Sequence, residues 1–375
     1  MELNIRTEEL KNALQLVSGF TGKDMDITKN ILLEARDNFL YLAATDTHHS
    51  CKTKVEAEIK KEGEVVVHGE LTNLVKTIRK REISMHTTPG GKLSVDKNFY
   101  LGIVRNGPDK FPKIPLPDKH TQSHTLEVKT FLKEIKTVSF AADKKSTDLT
   151  GTIFLSDDLV YATDKKMFAG IENPTNELQF HIPQQAISYF ENFEEVELYV
   201  EENIIYLLGE KIVITVNLPA VMRPEAVVRG ILFEKEPTIK AQYNINEDEL
   251  DELIYKLRQM RTINDRVTFI LDKGTIYIYG SKTSSETVNN AVNKIQIQDY
   301  SFKERAVVTF SVSRIYNILR KATTPVINFT GGHKDHNQNG QGFTFIRDGN
   351  YRAVIAPLVS NEQRAVEKVG EEYGI

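Results

Sequence analysis

Apolar and polar residues alternate along this chain with two periods, and the two-residue period dominates. In Leu149–Ile171, LTGTIFLSDDLVYATDKKMFAGI, apolar or β-branched runs occupy Ile153–Leu155 and Leu159–Ala162. Ser156–Asp157–Asp158 between them is turn chemistry, so the stretch predicts a β-hairpin ending in Ala162–Thr163–Asp164. The same order recurs at Asn30–Ala35, a turn at Arg36–Asn38, and Phe39–Ala43 leading into Ala44–Thr45–Asp46. A third copy, Arg266–Lys282, lacks that ending. One hairpin recurring at near-constant spacing makes the chain a threefold repeat.

The longer, helical period brackets each hairpin. Thr7–Ser18 puts Leu10, Ala13, Leu14 and Val17 on one stripe, with Thr7 as N-cap. Glu70–Arg81 does the same with Leu71, Leu74, Val75 and Ile78. The second repeat predicts helices at Val128–Phe140 and Pro183–Phe193, the latter opening on proline. The third predicts Glu247–Arg261 and Ser311–Ala322. Strand-like runs fill the rest, among them Ser50–Ile59, Phe99–Val104, Glu177–Ile182 and Tyr351–Ala356. Each repeat is thus expected to hold two helices and about eight short strands, an α+β fold class. Four prolines in Asn106–Asp118 mark one linker, and a proline-bearing stretch from Leu218 to Pro237 marks another. The expected domains are 1–123, 124–240 and 241–359, with a polar tail, 360–375, outside the repeat.

Composition changes this picture little. A chain of 375 residues exceeds the ~250–300 at which one core stops growing. With 40% apolar and 27% charged residues it is an ordinary globular sequence. Cys51 is the single cysteine, which excludes an internal disulfide and points to a reducing, cytoplasmic setting. Neither a signal peptide nor a membrane span is evident. The net charge of −4 argues against general DNA coating but leaves room for a local basic patch.

The order and spacing of these motifs resemble the sliding clamp family, the bacterial DNA polymerase III beta subunit. The residues that carry it are the helix–hairpin–Ala-Thr-Asp order in two repeats, Phe111–Pro112 and Pro115 in the first linker, TFSVSRIYNILRKA in the third repeat, and YRAVIAPL near the end. The resemblance covers about Met1–Val359. It implies three similar domains per chain and two chains joined head to tail in a ring. The helices would line a hole around duplex DNA, giving a processivity factor in DNA replication with no enzymatic activity or cofactor.

The helices offer a check on that expectation. Lys76, Arg79 and Lys80 lie opposite the apolar stripe of Glu70–Arg81, with Lys23 near the first helix. Lys129, Lys133 and Lys136 follow helical spacing, Arg258 and Arg261 end one helix, and Arg314, Arg320 and Lys321 belong to another. These are the expected contacts to phosphate, free of sequence preference. The alternative is a set of solvated faces, and Pro183–Phe193, with Glu191 and no Lys or Arg, does not share the pattern.

The resemblance also implies an apolar groove for short peptides of a polymerase, a clamp loader and other partners. Carried over by position, its walls are Leu149, Thr163, Lys165, Lys166, Met167, Phe168, Pro219, Arg223, Val354, Ile355, Ala356, Pro357 and Leu358. Where the family usually has Thr-Asp-Gly-His-Arg-Leu, this chain has Thr163-Asp164-Lys165-Lys166-Met167-Phe168. The tail is expected to fold over this groove or stay clear of it. Leu101 and Ile103, on an edge strand, are the expected dimer contacts.

Metal and enzyme readings are weaker. His48, His49, Asp46 and Cys51 sit on a strand that puts neighbours on opposite faces. His333 and His336 fall in a Gly- and Asn-rich loop without phosphate-loop context. The alternative function is a β-rich protein-binding scaffold that does not encircle DNA.

Overall fold

The computed structural model describes residues 1–375 except 24, 106, 176–177, 232–237, 264, 284–287, 333–334, 336–341, 360–361 and 375. His333 and His336 therefore lie outside the described residues.

The threefold repeat is visible as one element order run three times: strand, helix, β-hairpin, further strands, helix, β-meander, with two further strands before the second helix in the second repeat and three in the others. The first repeat contains β1 (Glu2–Arg6), α1 (Thr7–Ser18), β2 (Asn30–Arg36), β3 (Phe39–Thr45) and β4 (His49–Glu56). It continues with β5 (Glu58–Lys61), β6 (Gly63–His68), α2 (Leu71–Thr77), β7 (Glu82–Thr87), β8 (Lys92–Val95) and β9 (Phe99–Gly102). A short helix, α3 (Gly107–Lys110), leads out of it. The second repeat holds β10 (Ser123–Glu127), α4 (Val128–Val138), β11 (Thr152–Ser156), β12 (Leu159–Thr163) and β13 (Met167–Glu172). Then come β14 (His181–Pro183), α5 (Ile187–Phe190), β15 (Glu195–Glu201), β16 (Ile204–Leu208) and β17 (Ile212–Asn217). The connection to the third repeat carries α6 (Glu225–Arg229). The third repeat opens with β18 (Ala241–Asn244), α7 (Glu247–Ile263), β19 (Arg266–Asp272), β20 (Thr275–Thr283) and β21 (Val288–Gln296). It closes with β22 (Asp299–Phe302), β23 (Ala306–Ser311), α8 (Val312–Leu319), β24 (Val326–Phe329), β25 (Thr344–Asp348) and β26 (Tyr351–Ile355), followed by α9 (Glu362–Tyr373).

Several expected boundaries moved. The helix expected over Glu70–Arg81 stops at Thr77, because Ile78 turns to an extended conformation and buries its side chain. Pro183–Phe193 is a 3₁₀ turn, Gln184–Ala186, followed by the four residues of α5. Ser50–Ile59 is two strands, β4 and β5, divided at Ala57. The tail is not loose polar chain but the helix α9.

The chain forms two compact units, residues 1–129 with 188–219, and 130–187 with 220–375. Each is built on a long sheet shared by two repeats. In the first unit the strand order is β10-β15-β16-β17-β4-β3-β2-β6, with β17 of one repeat antiparallel to β4 of another. In the second it is β14-β11-β12-β13-β26-β25-β24-β18-β22, and β13 meets β26 in the same way. Each unit also has a shorter sheet, β5-β1-β7-β8-β9 and β21-β20-β19-β23 respectively.

The signature Ala-Thr-Asp is a turn device. Asp46 Oδ1 accepts from the amides of His48 and His49 at 2.8 and 2.6 Å, and Asp164 Oδ1 from those of Lys166 and Met167 at 2.9 Å each. The hydroxyls of Thr45 and Thr163 donate to the carbonyls of His49 and Met167. The residue after each aspartate, Thr47 or Lys165, is left-handed at φ +78° or +69°. Glycine adopts that conformation more readily than either.

Candidate functional site

Two features of the second unit bring expected site residues together. The first is basic. Lys133 and Lys136 are exposed on α4; Lys129, at the start of that helix, is exposed too but falls in the first unit. Arg258 and Arg261 are exposed on α7, and Arg320 and Lys321 lie just past α8. The guanidinium groups of Arg261 and Arg320 lie over the ring of Tyr316 at 5.3 and 5.5 Å. Stacking of this kind holds both cations in place without neutralising them. Partial desolvation, then repulsion from Arg320 and Lys136, keeps the Lys321 ammonium below its ordinary range. Helices of the second and third repeats thus present one cationic surface. Asp251 borders it, in the groove lined by Arg258, Arg261, Tyr316 and Arg320.

Arg314 does not join that surface. Its guanidinium is spent on Asp164 Oδ2, at 2.7 and 2.9 Å, so it ties α8 to the turn after β12. In the first unit Lys23, Lys76, Arg79 and Lys80 are exposed, but only Lys76 is on α2. Arg79 and Lys80 follow the helix, and Lys80 pairs with Asp96 at 2.8 Å.

The second feature is apolar. Register places Phe154, Leu159, Tyr161, Thr163, Phe168, Val354 and Phe345 on one face of the nine-stranded sheet, because Phe154 pairs with Tyr161, Thr163 with Phe168, Phe168 with Val354, and Val354 with Phe345. Leu149 packs at its margin, and Val228 of α6 is fully buried against it. Phe154 and Tyr161 stack at 5.1 Å between ring centres. Met167 pairs with Ile355 and so faces the other side, where both are buried. The expectation that Met167 and Ile355 are walls of the groove is corrected on that ground, since strand alternation separates them from Phe168 and Val354.

The polar rim is also defined. Lys165 and Lys166 are exposed, with Lys165 Nζ 3.9 Å from Asp148. Hydrogen bonds from Thr150 and Ser146 hold the Asp148 carboxyl at about 2. Arg223 donates to the carbonyl of Gln179 at 3.0 Å. Ala356 is bonded to Lys166 through its backbone, Leu358 to Thr309, and Pro357 between them is buried. Pro219 belongs to the other compact unit. Sequence reasoning missed α6 altogether; the run Ala226–Val228 after Pro224 was its signal.

At the sheet ends, β9 is terminal and Phe99 and Tyr100 are its exposed large side chains. Leu101 pairs with Leu93 and is half-buried, while Ile103 lies past the strand, bridged to Val67.

Comparison with solved structures places this architecture among sliding clamps. The beta sliding clamp of Caulobacter crescentus superposes with a TM-score of 0.81 at 17% identity, over 96% of this chain and 100% of that one. The Helicobacter pylori beta clamp bound to a DNA ligase peptide gives 0.79 at 16%, with the same coverage. The beta subunit from the DNA polymerase of Streptococcus pyogenes gives 0.78 at 16%, again over 96% and 100%. The chain has the beta sliding-clamp fold. Its residues 1–110 match the family model described as DNA polymerase III beta subunit, N-terminal domain. No curated protein matches. No helix among the described residues is long and apolar enough to cross a membrane.

Proposed function

We propose that this chain is a divergent DNA sliding clamp: a head-to-tail dimer that encircles duplex DNA without sequence preference and tethers a polymerase through a peptide groove. The observation that carries the reading is the rule by which repeats join. The last strand of the second repeat, β17, pairs with β4, which follows the hairpin of the first; the last strand of the third, β26, pairs with the equivalent β13 of the second. By the same rule the last strand of the first repeat, β9, takes the equivalent strand of a third repeat, β21. Both are terminal strands of their sheets. An interface of unlike surfaces closes into a ring when its rotation permits, and it also removes two exposed edges.

On this reading Lys129, Lys133, Lys136, Arg258, Arg261, Arg320 and Lys321 face phosphate, with Lys23, Lys76 and Arg79 doing so from the first repeat, while Lys80, paired with Asp96, contributes less. The domains divide at 123/124 and 240/241. The role is non-catalytic, and a cytoplasmic location suits it. Retention on circular plasmid with release on linearisation is the deciding experiment. Equal release from both forms would instead favour a protein-binding scaffold.

A further inference from the structure

The groove face of the nine-stranded sheet is covered by the chain itself. Val228 of α6 has no exposed surface, although Val227 beside it is 61% exposed. It sits on Phe154, Leu159, Tyr161, Phe345 and Val354, flanked by Val221 and Ile231. Arg229 then pins the helix. Its guanidinium bonds to Glu225 Oε1 at 2.9 and 3.0 Å and to Asp158 in the turn between β11 and β12. We propose that α6 is an intramolecular plug, with Val228 in the anchor position of the peptide groove and the Arg229–Asp158 pair as its latch. A partner peptide with an apolar anchor then binds by displacing it.

Two observations favour a removable plug over a permanent part of the wall. A five-residue helix has no stability of its own, so closure depends on Val228, the half-buried Val221 and Ile231 beside it, and a latch whose Asp158 side chain is 54% exposed. The hydroxyl of Tyr161, 1% exposed beneath the cover, has no hydrogen-bond partner. Val228 cannot supply one, whereas a peptide backbone or polar side chain can. Closure reduces apparent peptide affinity by the fraction of molecules that are open.

This proposal rests on the groove reading, and one experiment separates the two. The probe is a fluorescein-labelled peptide with adjacent Leu and Phe and two flanking Asp, titrated into the full chain and into Arg229→Ala and Asp158→Ala. Hydrogen exchange at 225–231 is followed in parallel. Either variant should bind about fivefold more tightly, the weight of an exposed ion pair. The double exchange Arg229→Asp with Asp158→Arg should restore the weaker binding. Protection at 225–231 should disappear as peptide saturates the wild-type chain. Equal affinities with protection unchanged by peptide would overturn the plug and leave the groove. Absence of binding in every variant would overturn both.

Discussion

At the scale of single residues, charge alone does not define a phosphate contact; what matters is whether the charge is already spent. Arg314 and Arg320 are six residues apart, one in α8 and the other its C-cap, yet Arg314 is paired with a carboxylate that is 15% exposed and Arg320 is stacked on an aromatic ring. Arg314→Ala should therefore lower stability by about 1–3 kcal/mol, between the values for exposed and buried pairs, and leave the salt dependence of DNA affinity unchanged. Thermal unfolding and a salt titration read the two effects separately. Lys133→Glu with Lys321→Glu should instead flatten the log–log salt slope by about 0.9 for each phosphate no longer neutralised. The Arg229 latch has a predictable acid limit. The hydrogen bond from Arg229 holds the Asp158 carboxyl below its ordinary range. Its contribution is fully present above the unfolded carboxylate value of about 3.9 and is lost only as pH falls through the lower folded value. Peptide affinity should accordingly be flat from about pH 5 to 8, which a titration series checks.

At the scale of elements, the largest surprise is α9. Its Ala365 and Val369 are buried on Ile270, Tyr277 and Tyr279, and Tyr373 packs on Tyr277 with ring centres 5.4 Å apart. Strands β19 and β20 are apolar on both faces: Phe269 and Ile278 point one way, Ile270 and Tyr277 the other, and all are buried. Removing 360–375 should expose the second face, lower the unfolding temperature and promote aggregation, measured by calorimetry and light scattering. Val369→Ala should cost about 2 kcal/mol. The threefold hairpin and the two-period pattern were legible because each repeat states them locally. The cover was half legible, since apolar residues on both faces of β19 and β20 demand two packing partners. Nothing in local periodicity names α9 as that partner, and a polar composition disguised it. The plug was hidden for a related reason: Val228 is unremarkable until strand register assembles the patch beneath it from four strands. Met167 was misplaced because position in a motif does not reveal which way a strand alternates.

At the scale of the whole molecule, the joining rule makes assembly the property to test. Light scattering should give twice the chain mass at micromolar concentration. Phe99→Asp with Tyr100→Asp should yield monomers that fold but fail to stay on circular plasmid, because the exposed edge of β9 would then carry charge. One joint of this design can be watched directly. Cys51 lies on β4 opposite Ile214 of β17, where two repeats share a sheet, and it has no exposed surface. Burial pushes its thiol well above the usual cysteine range. Alkylation needs the thiolate, so an added reagent can reach Cys51 only when the packing over this part of the sheet opens. The chain thus carries its own kinetic gauge: the labelling rate at Cys51 counts openings of the packing around this joint, and any hoop tension imposed by loading should register as a change in that count.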